Sequence, residues 1–109
     1  MNFRIKITGN FDKEAKPLLK KYRSFRNDIA KLIDELELNP KLGTPLGHNL
    51  YKVRIAISSK GRGKSGGARV ITYVILENET IHLISIYDKA EYDTAGIATL
   101  LIILKDEGL

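Results

Sequence analysis

The sequence predicts an α+β fold of order β-α-α-β-β-β-α: a mainly antiparallel four-stranded sheet with a helical hairpin and a C-terminal helix. Three observations predict it. Hydrophobic periodicity switches from two to helical spacing near residue 10 and returns to two at residue 50. Two helical stripes follow one another with almost no connection, and three strand-like runs are then separated only by turn-forming residues. With 109 residues and 43% hydrophobic content there is material for one core, so a single domain over 1–109 is expected.

Phe3, Ile5 and Ile7 alternate with Asn2, Arg4, Lys6 and Thr8, a half-buried strand that ends at Gly9-Asn10. Phe11, Ala15, Leu18, Leu19 and Tyr22 then follow helical spacing, with Pro17 expected to kink the helix or delay its start. Ser24 is the candidate N-cap of a second helix whose stripe is Phe25, Ile29, Leu32, Ile33 and Leu36, and Asn39-Pro40 stops it. Helices so closely joined pack as antiparallel neighbours. Residues 41–49, containing Gly43, Pro45 and Gly47, read as loop. Residues 50–57 alternate, placing Tyr51, Val53, Ile55 and Ile57 on one face and Lys52 and Arg54 side by side on the other. A glycine-rich loop over 59–69 leads into a β-branched strand over 70–76, a turn at 77–80 and a strand over 81–87. Both strands are apolar at nearly every position, which suits central strands covered on both sides and leaves their faces unassigned. Ile97, Leu100, Leu101 and Leu104 form the stripe of the last helix, with Ile102 and Ile103 falling off it.

Charge is polarised along the chain. Residues 1–37 carry nine basic and six acidic side chains, 38–76 carry seven basic and no acidic ones, and 77–109 carry two basic and seven acidic. The acid-free block holds Lys41, Lys52, Arg54, Lys60, Arg62, Lys64 and Arg69, an electrostatic footprint for a polyanion. The absence of cysteine excludes thiol nucleophiles, thiolate metal sites and disulfides, and suits a reducing compartment. The opening MNFRIKITGN alternates instead of forming a signal-peptide core, and the longest apolar stretch, 95–104, is about half a membrane span. A cytoplasmic protein without membrane attachment is expected. His48 and His82 are too distant in sequence to imply a metal site, and no G-x-S-x-G elbow is present.

Gly61, Gly63 and Gly66 match G-x-G-x-x-G, but a strand follows where a dinucleotide site needs a helix N-terminus. The same missing helix argues against reading Gly63-Lys64-Ser65 as a Walker loop. The loop reads instead as a mobile hairpin tip whose Lys60, Arg62 and Lys64 mould to a phosphate backbone. RNA supplies its own nucleophile, the 2′-hydroxyl. Cleavage therefore asks only for removal of the 2′ proton, stabilisation of charge at phosphorus and protonation of the leaving 5′ oxygen. Lys, Arg and Tyr can meet these demands without a metal or cofactor.

The element order, the phrase LNPKLGTPLG, the segment YKVRIAISSKGRGKSGGARVITYV and LISIYDK together resemble the RelE/ParE superfamily of bacterial toxins, most of all its HigB-like and RelE-like branch. The resemblance implies the toxin of a type II toxin-antitoxin system: a metal-free endoribonuclease that cuts translated mRNA in the ribosome. It implies an antitoxin, the ribosome and mRNA as partners, with no small-molecule cofactor. Matched position by position, it implies catalytic roles for Lys52, Arg54, Arg69 and Lys89, the last where RelE would carry an arginine. The tyrosine implied on the last helix falls near Ala95, and Tyr87 and Tyr92 stand in for it. Lys41, Lys60, Arg62 and Lys64 are expected to bind RNA or the ribosome. Ile102 and Ile103 are the apolar surplus expected to meet the antitoxin. A ParE-like poison of DNA gyrase and a non-catalytic RNA-binding module are the alternatives.

Overall fold

The computed structural model describes residues 3–90 and 96–109. They form β1 (Arg4–Ile7), α1 (Gly9–Lys21), α2 (Phe25–Leu38), β2 (Thr44–Gly47), β3 (Leu50–Ile55), β4 (Ala68–Ile75), β5 (Thr80–Asp88) and α3 (Ile97–Asp106). The sheet runs β1-β5-β4-β3-β2, with β1 parallel to β5 and all other neighbours antiparallel. The α+β class and the order of the expected elements hold. The strand count is corrected from four to five, because part of the 41–49 segment pairs with β3 as an edge strand. Pro45 masked it, since proline is tolerated in a strand only where no neighbour needs its N–H. A two-residue turn joins β2 to β3, with His48 and Asn49 both at positive φ (55° and 63°), the backbone that matches strand twist.

Two other local expectations are revised. Helix α1 starts earlier than Phe11 and runs through Pro17: Thr8 caps it by accepting the Phe11 N–H at 3.1 Å. Pro17 and Lys13 both lie on the exposed face, so the Lys13 carbonyl that loses its helical donor can bond water. Ser24 takes the N-cap position of α2, its carbonyl accepting the Asp28 N–H at 3.0 Å, but its side chain makes no capping bond. Its hydroxyl instead donates to Asp28 Oδ2 (2.8 Å) and accepts the Ser59 N–H (2.8 Å), while buried Asp28 also accepts from the Ser58 N–H and hydroxyl.

The sheet is covered on both faces. Phe11, Ala15 and Leu18 of α1 and Phe25, Leu32 and Leu36 of α2 pack with Val53, Ile55, Ala68, Val70, Val74, Ile81, Leu83 and Ile86. On the opposite face Leu100 and Leu104 of α3 close over Leu50, Ile71 and Ile84. Burying each such leucine contributes about 2 kcal/mol, enough to hold a short helix on the sheet. Ile103 is half-buried against this second cluster, whereas Ile102 is 60% exposed. Strand β1 ends opposite Leu83, and α1 side chains serve the stretch of β5 beyond it: Asn10 Nδ2 donates to the Ile84 carbonyl and Glu14 accepts from the Ser85 hydroxyl. Glu107, just after α3, accepts the Gly9 and Asn10 N–H groups at 3.2 and 3.0 Å, tying the two helices together.

Between β3 and β4 the chain makes two short 3₁₀ turns, Ser58–Lys60 and Lys64–Gly66. Lys60 Nζ turns inward, donating to Asp88 Oδ1 (2.7 Å) and the Gly66 carbonyl (3.0 Å), and lies 5.1 Å from the centre of the Tyr22 ring. Tyr22 donates its hydroxyl to Asp88 Oδ2 at 2.7 Å. Burial alone would raise the Asp88 carboxyl, but hydrogen bonds from Lys60, Tyr22 and the Ala90 N–H, with the Lys60 charge, outweigh it and hold it below its ordinary value. Burial would likewise lower Lys60, and the Asp88 and Tyr22 interactions outweigh it to raise that ammonium.

Two predictions follow from this packing. A Cβ at Gly67 would lie 2.0 Å from the Ile55 carbonyl oxygen, a backbone atom that cannot step aside. Gly67→Ala should therefore lower unfolding free energy by about 2 kcal/mol in denaturant titration, by forced overpacking. The Asp88 contribution is present above the ordinary carboxyl value of 3.8 and is lost as pH falls through the lower folded value. That of Lys60 is present below 10.5 and is lost as pH rises through the higher folded value. Thermal melts should show the gap between wild type and Asp88→Asn closing in acid, and the gap to Lys60→Met closing in alkali. Gaps independent of pH would contradict the pairing.

Candidate nucleic-acid interface

Strand pairing sets the site. Val53 of β3 pairs with Val70 of β4, which pairs with Ile86 of β5, and all three are buried under the helical hairpin. The adjacent row is Arg54, Arg69 and Tyr87, again directly paired across the same strands. Because side chains alternate along each strand, this second row emerges on the face that carries α3. Lys52 lies two residues from Arg54 on that same face, opposite Ile71. The structure thus brings together Lys52, Arg54, Arg69 and Tyr87, which are scattered over three segments of the sequence.

Arg69 is 3% exposed, yet no carboxylate among the described residues pairs with it. Its Nη1 donates to the carbonyls of Lys64 (2.9 Å) and Ala68 (3.1 Å). A guanidinium has five N–H donors in a planar fork, so this anchoring fixes its plane and leaves the other nitrogens for an anion. Burial, and then the nearby positive charge of Arg54, lower the Arg69 pKa from its ordinary value, with Tyr87 opposing. A guanidinium is cationic near neutral pH. Two cations held side by side in a partly desolvated row are costly unless an anion joins them.

The remaining candidates divide into two groups. Lys52, Arg54 and Lys64 line one cleft of about 370 Å³, shared with Thr44, Val53, Ile55 and the α2 residues Asp28, Lys31 and Glu35. Sequence reading missed the α2 wall, although Asp28, Lys31 and Glu35 recur at helical spacing along one flank. Arg62 and Lys89 line a separate depression with Lys60, Ser65 and Gly66. Lys89 directly follows β5, and its N–H donates to the Gly67 carbonyl at 3.0 Å. Lys60 does not join the exposed cations: its ammonium is committed to Asp88 on the hairpin side. Lys41 is exposed just before β2. Tyr92 lies outside the described residues. Ile102 and Ile103 sit on α3, apart from the cationic row in sequence but on the same side of the sheet.

His82 is half-buried, its ring 6.2 Å from that of Tyr73, and burial followed by the Lys6 charge lowers its pKa. Among the described residues no group of three His, Asp or Glu is clustered to hold a metal ion, and no helix is long and apolar enough to cross a membrane.

No family model matches the sequence. Among solved structures, the fold is similar to that of a doubly arginine-to-alanine-substituted E. coli toxin RelE in the free state, with a TM-score of 0.60 and 18% identity. The match covers 85% of this chain and 90% of that one. The three helices and five-stranded mixed sheet form a RelE-like fold.

Proposed function

We propose that this protein is the toxin of a toxin-antitoxin pair and a metal-independent endoribonuclease that cuts mRNA during translation. The observation that carries the reading is the row Arg54, Arg69 and Tyr87, with Lys52 beside it, on one sheet face of a RelE-like fold. In the proposed reaction the substrate's own 2′-oxygen attacks phosphorus. A cyclic 2′,3′-phosphate forms as the bond to the 5′ oxygen breaks; the 2′ proton is removed and the 5′ oxygen receives one. Lys52 and Arg54 meet the phosphate from the α3 face of β3, at the border of the open cleft, and Arg69, held by two carbonyls, supplies a fixed positive charge behind them. Tyr87 is the hydroxyl in the row suited to proton transfer. Lys41, Arg62, Lys64 and Lys89 extend the cationic surface towards flanking phosphates of mRNA or ribosomal RNA. An antitoxin that covers the cations and the exposed Ile102 and half-buried Ile103 of α3 would silence the protein, and its action places it in the cytoplasm.

Expression should arrest growth and create new mRNA ends only within translated regions, read by primer extension. Arg69→Ala should lower single-turnover cleavage by two to three decades, about 3 to 4 kcal/mol, with ribosome binding retained. Equal cutting of RNA without ribosomes would contradict ribosome dependence. Growth arrest with supercoiling defects and intact mRNA would replace the reading with a gyrase poison.

A further inference from the structure

Lys60 was the one loop cation that the fold turned away from the surface, and its contacts lead back to the site. We infer that Lys60, clasped to Asp88, is a positioning residue for Arg69 and not a contact for nucleic acid; this rests on the function proposed above.

The chain of contacts is short. Only 14% of the Lys60 side chain and 1% of that of Asp88 is exposed, so the pair is shielded from water and its geometry is held tightly. The same ammonium donates to the Gly66 carbonyl, the last residue of the Lys64–Gly66 turn. That turn is closed by the Gly67 N–H donating to the Lys64 carbonyl at 3.2 Å, and is tied to the strand end by the Lys89 N–H donating to Gly67. The Lys64 carbonyl is in turn an acceptor of Arg69 Nη1. Lys60 therefore fixes the turn, the turn presents a carbonyl, and the carbonyl sets the plane of the guanidinium. Asp88 adds a second link, because it is the residue between Tyr87 and Lys89. A surface loop that only offered charge to phosphates would have no use for a buried ion pair, whose desolvation is offset only by close geometry and added hydrogen bonds such as those from Tyr22 and to Gly66. The glycines give the loop its freedom, and Lys60 removes that freedom where Arg69 is held.

The test compares Lys60→Met with Lys16→Met, which removes the same charge from an exposed helix pair with Asp12. Two readouts are taken: ribosome affinity with saturated single-turnover rate, and the ¹⁵N–¹H signals of the Arg69 guanidinium. Lys60→Met should slow saturated cleavage about tenfold or more, as a displaced catalytic group does, with affinity nearly unchanged and the Arg69 signals moved. Lys16→Met should leave both readouts at wild-type values. Should Lys60→Met not fold, Tyr22→Phe, which loses only the hydroxyl bond to Asp88, should give a smaller change of the same kind. Weakened affinity with an unchanged saturated rate and unmoved Arg69 signals would overturn the inference and make Lys60 a binding cation. Wild-type protein that cleaves nothing would remove the proposed function, while the Arg69 signals would still decide whether the clasp sets that side chain.

Discussion

The candidate site depends on the register of three antiparallel strands. Val53, Val70 and Ile86 form an apolar row under the helical hairpin, and the next row along is Arg54, Arg69 and Tyr87. A one-residue slip of β4 would send Arg69 into the hairpin core and Val70 towards solvent, an exchange that loses apolar burial and strands a charge. The core thus enforces the site. Hydrophobic burial on one face fixes where the cations stand on the other, without any contact between the two sets of side chains.

The edges of the sheet show how this arrangement is kept finite. Helix α1 lends Asn10 and Glu14 to β5 where β1 ends, so the strand that carries Tyr87 is covered along its far half. On the other side β2 pairs only as far as Lys52, and the cleft opens beside Val53, Arg54 and Ile55. An unpaired strand edge is a surface that natural sheets usually shield, charged side chains being one means. Here it borders the face on which the substrate phosphate is proposed to sit. Helix α3 packs on the Leu50, Ile71 and Ile84 part of its face.

How much of this could be read in the sequence depended on whether the information was local. The alternation of β3 is local, so counting alone places Lys52 and Arg54 on the face opposite Val53. Strands β4 and β5 are apolar on both sides and carry no such signal; only their pairing shows that Arg69 and Tyr87 share a face with Arg54. Strand β2 was missed because Pro45 and its flanking glycines argue for loop, and an edge position cancels that argument only when the neighbour is known. The burial of Lys60 is hidden from sequence reading for a related reason. A lysine among glycines looks solvated, and nothing near it in sequence announces Asp88, 28 residues away, or Tyr22. The acid-free block, by contrast, pointed correctly to where positive charge gathers, because clustering of like charge needs no knowledge of the fold.

The central claim is that the substrate phosphate is held over the row of Arg54, Arg69 and Tyr87. The most direct measurement is a structure of the Tyr87→Phe protein trapped on a ribosome programmed with mRNA. The account predicts the scissile phosphate on the α3 side of the sheet, within hydrogen-bonding reach of Arg54 and Arg69 and bordering the cleft that contains Lys52. A phosphate seated on the hairpin side, or a protein that meets the ribosome through α1 and α2 with the cationic row facing solvent, would contradict it.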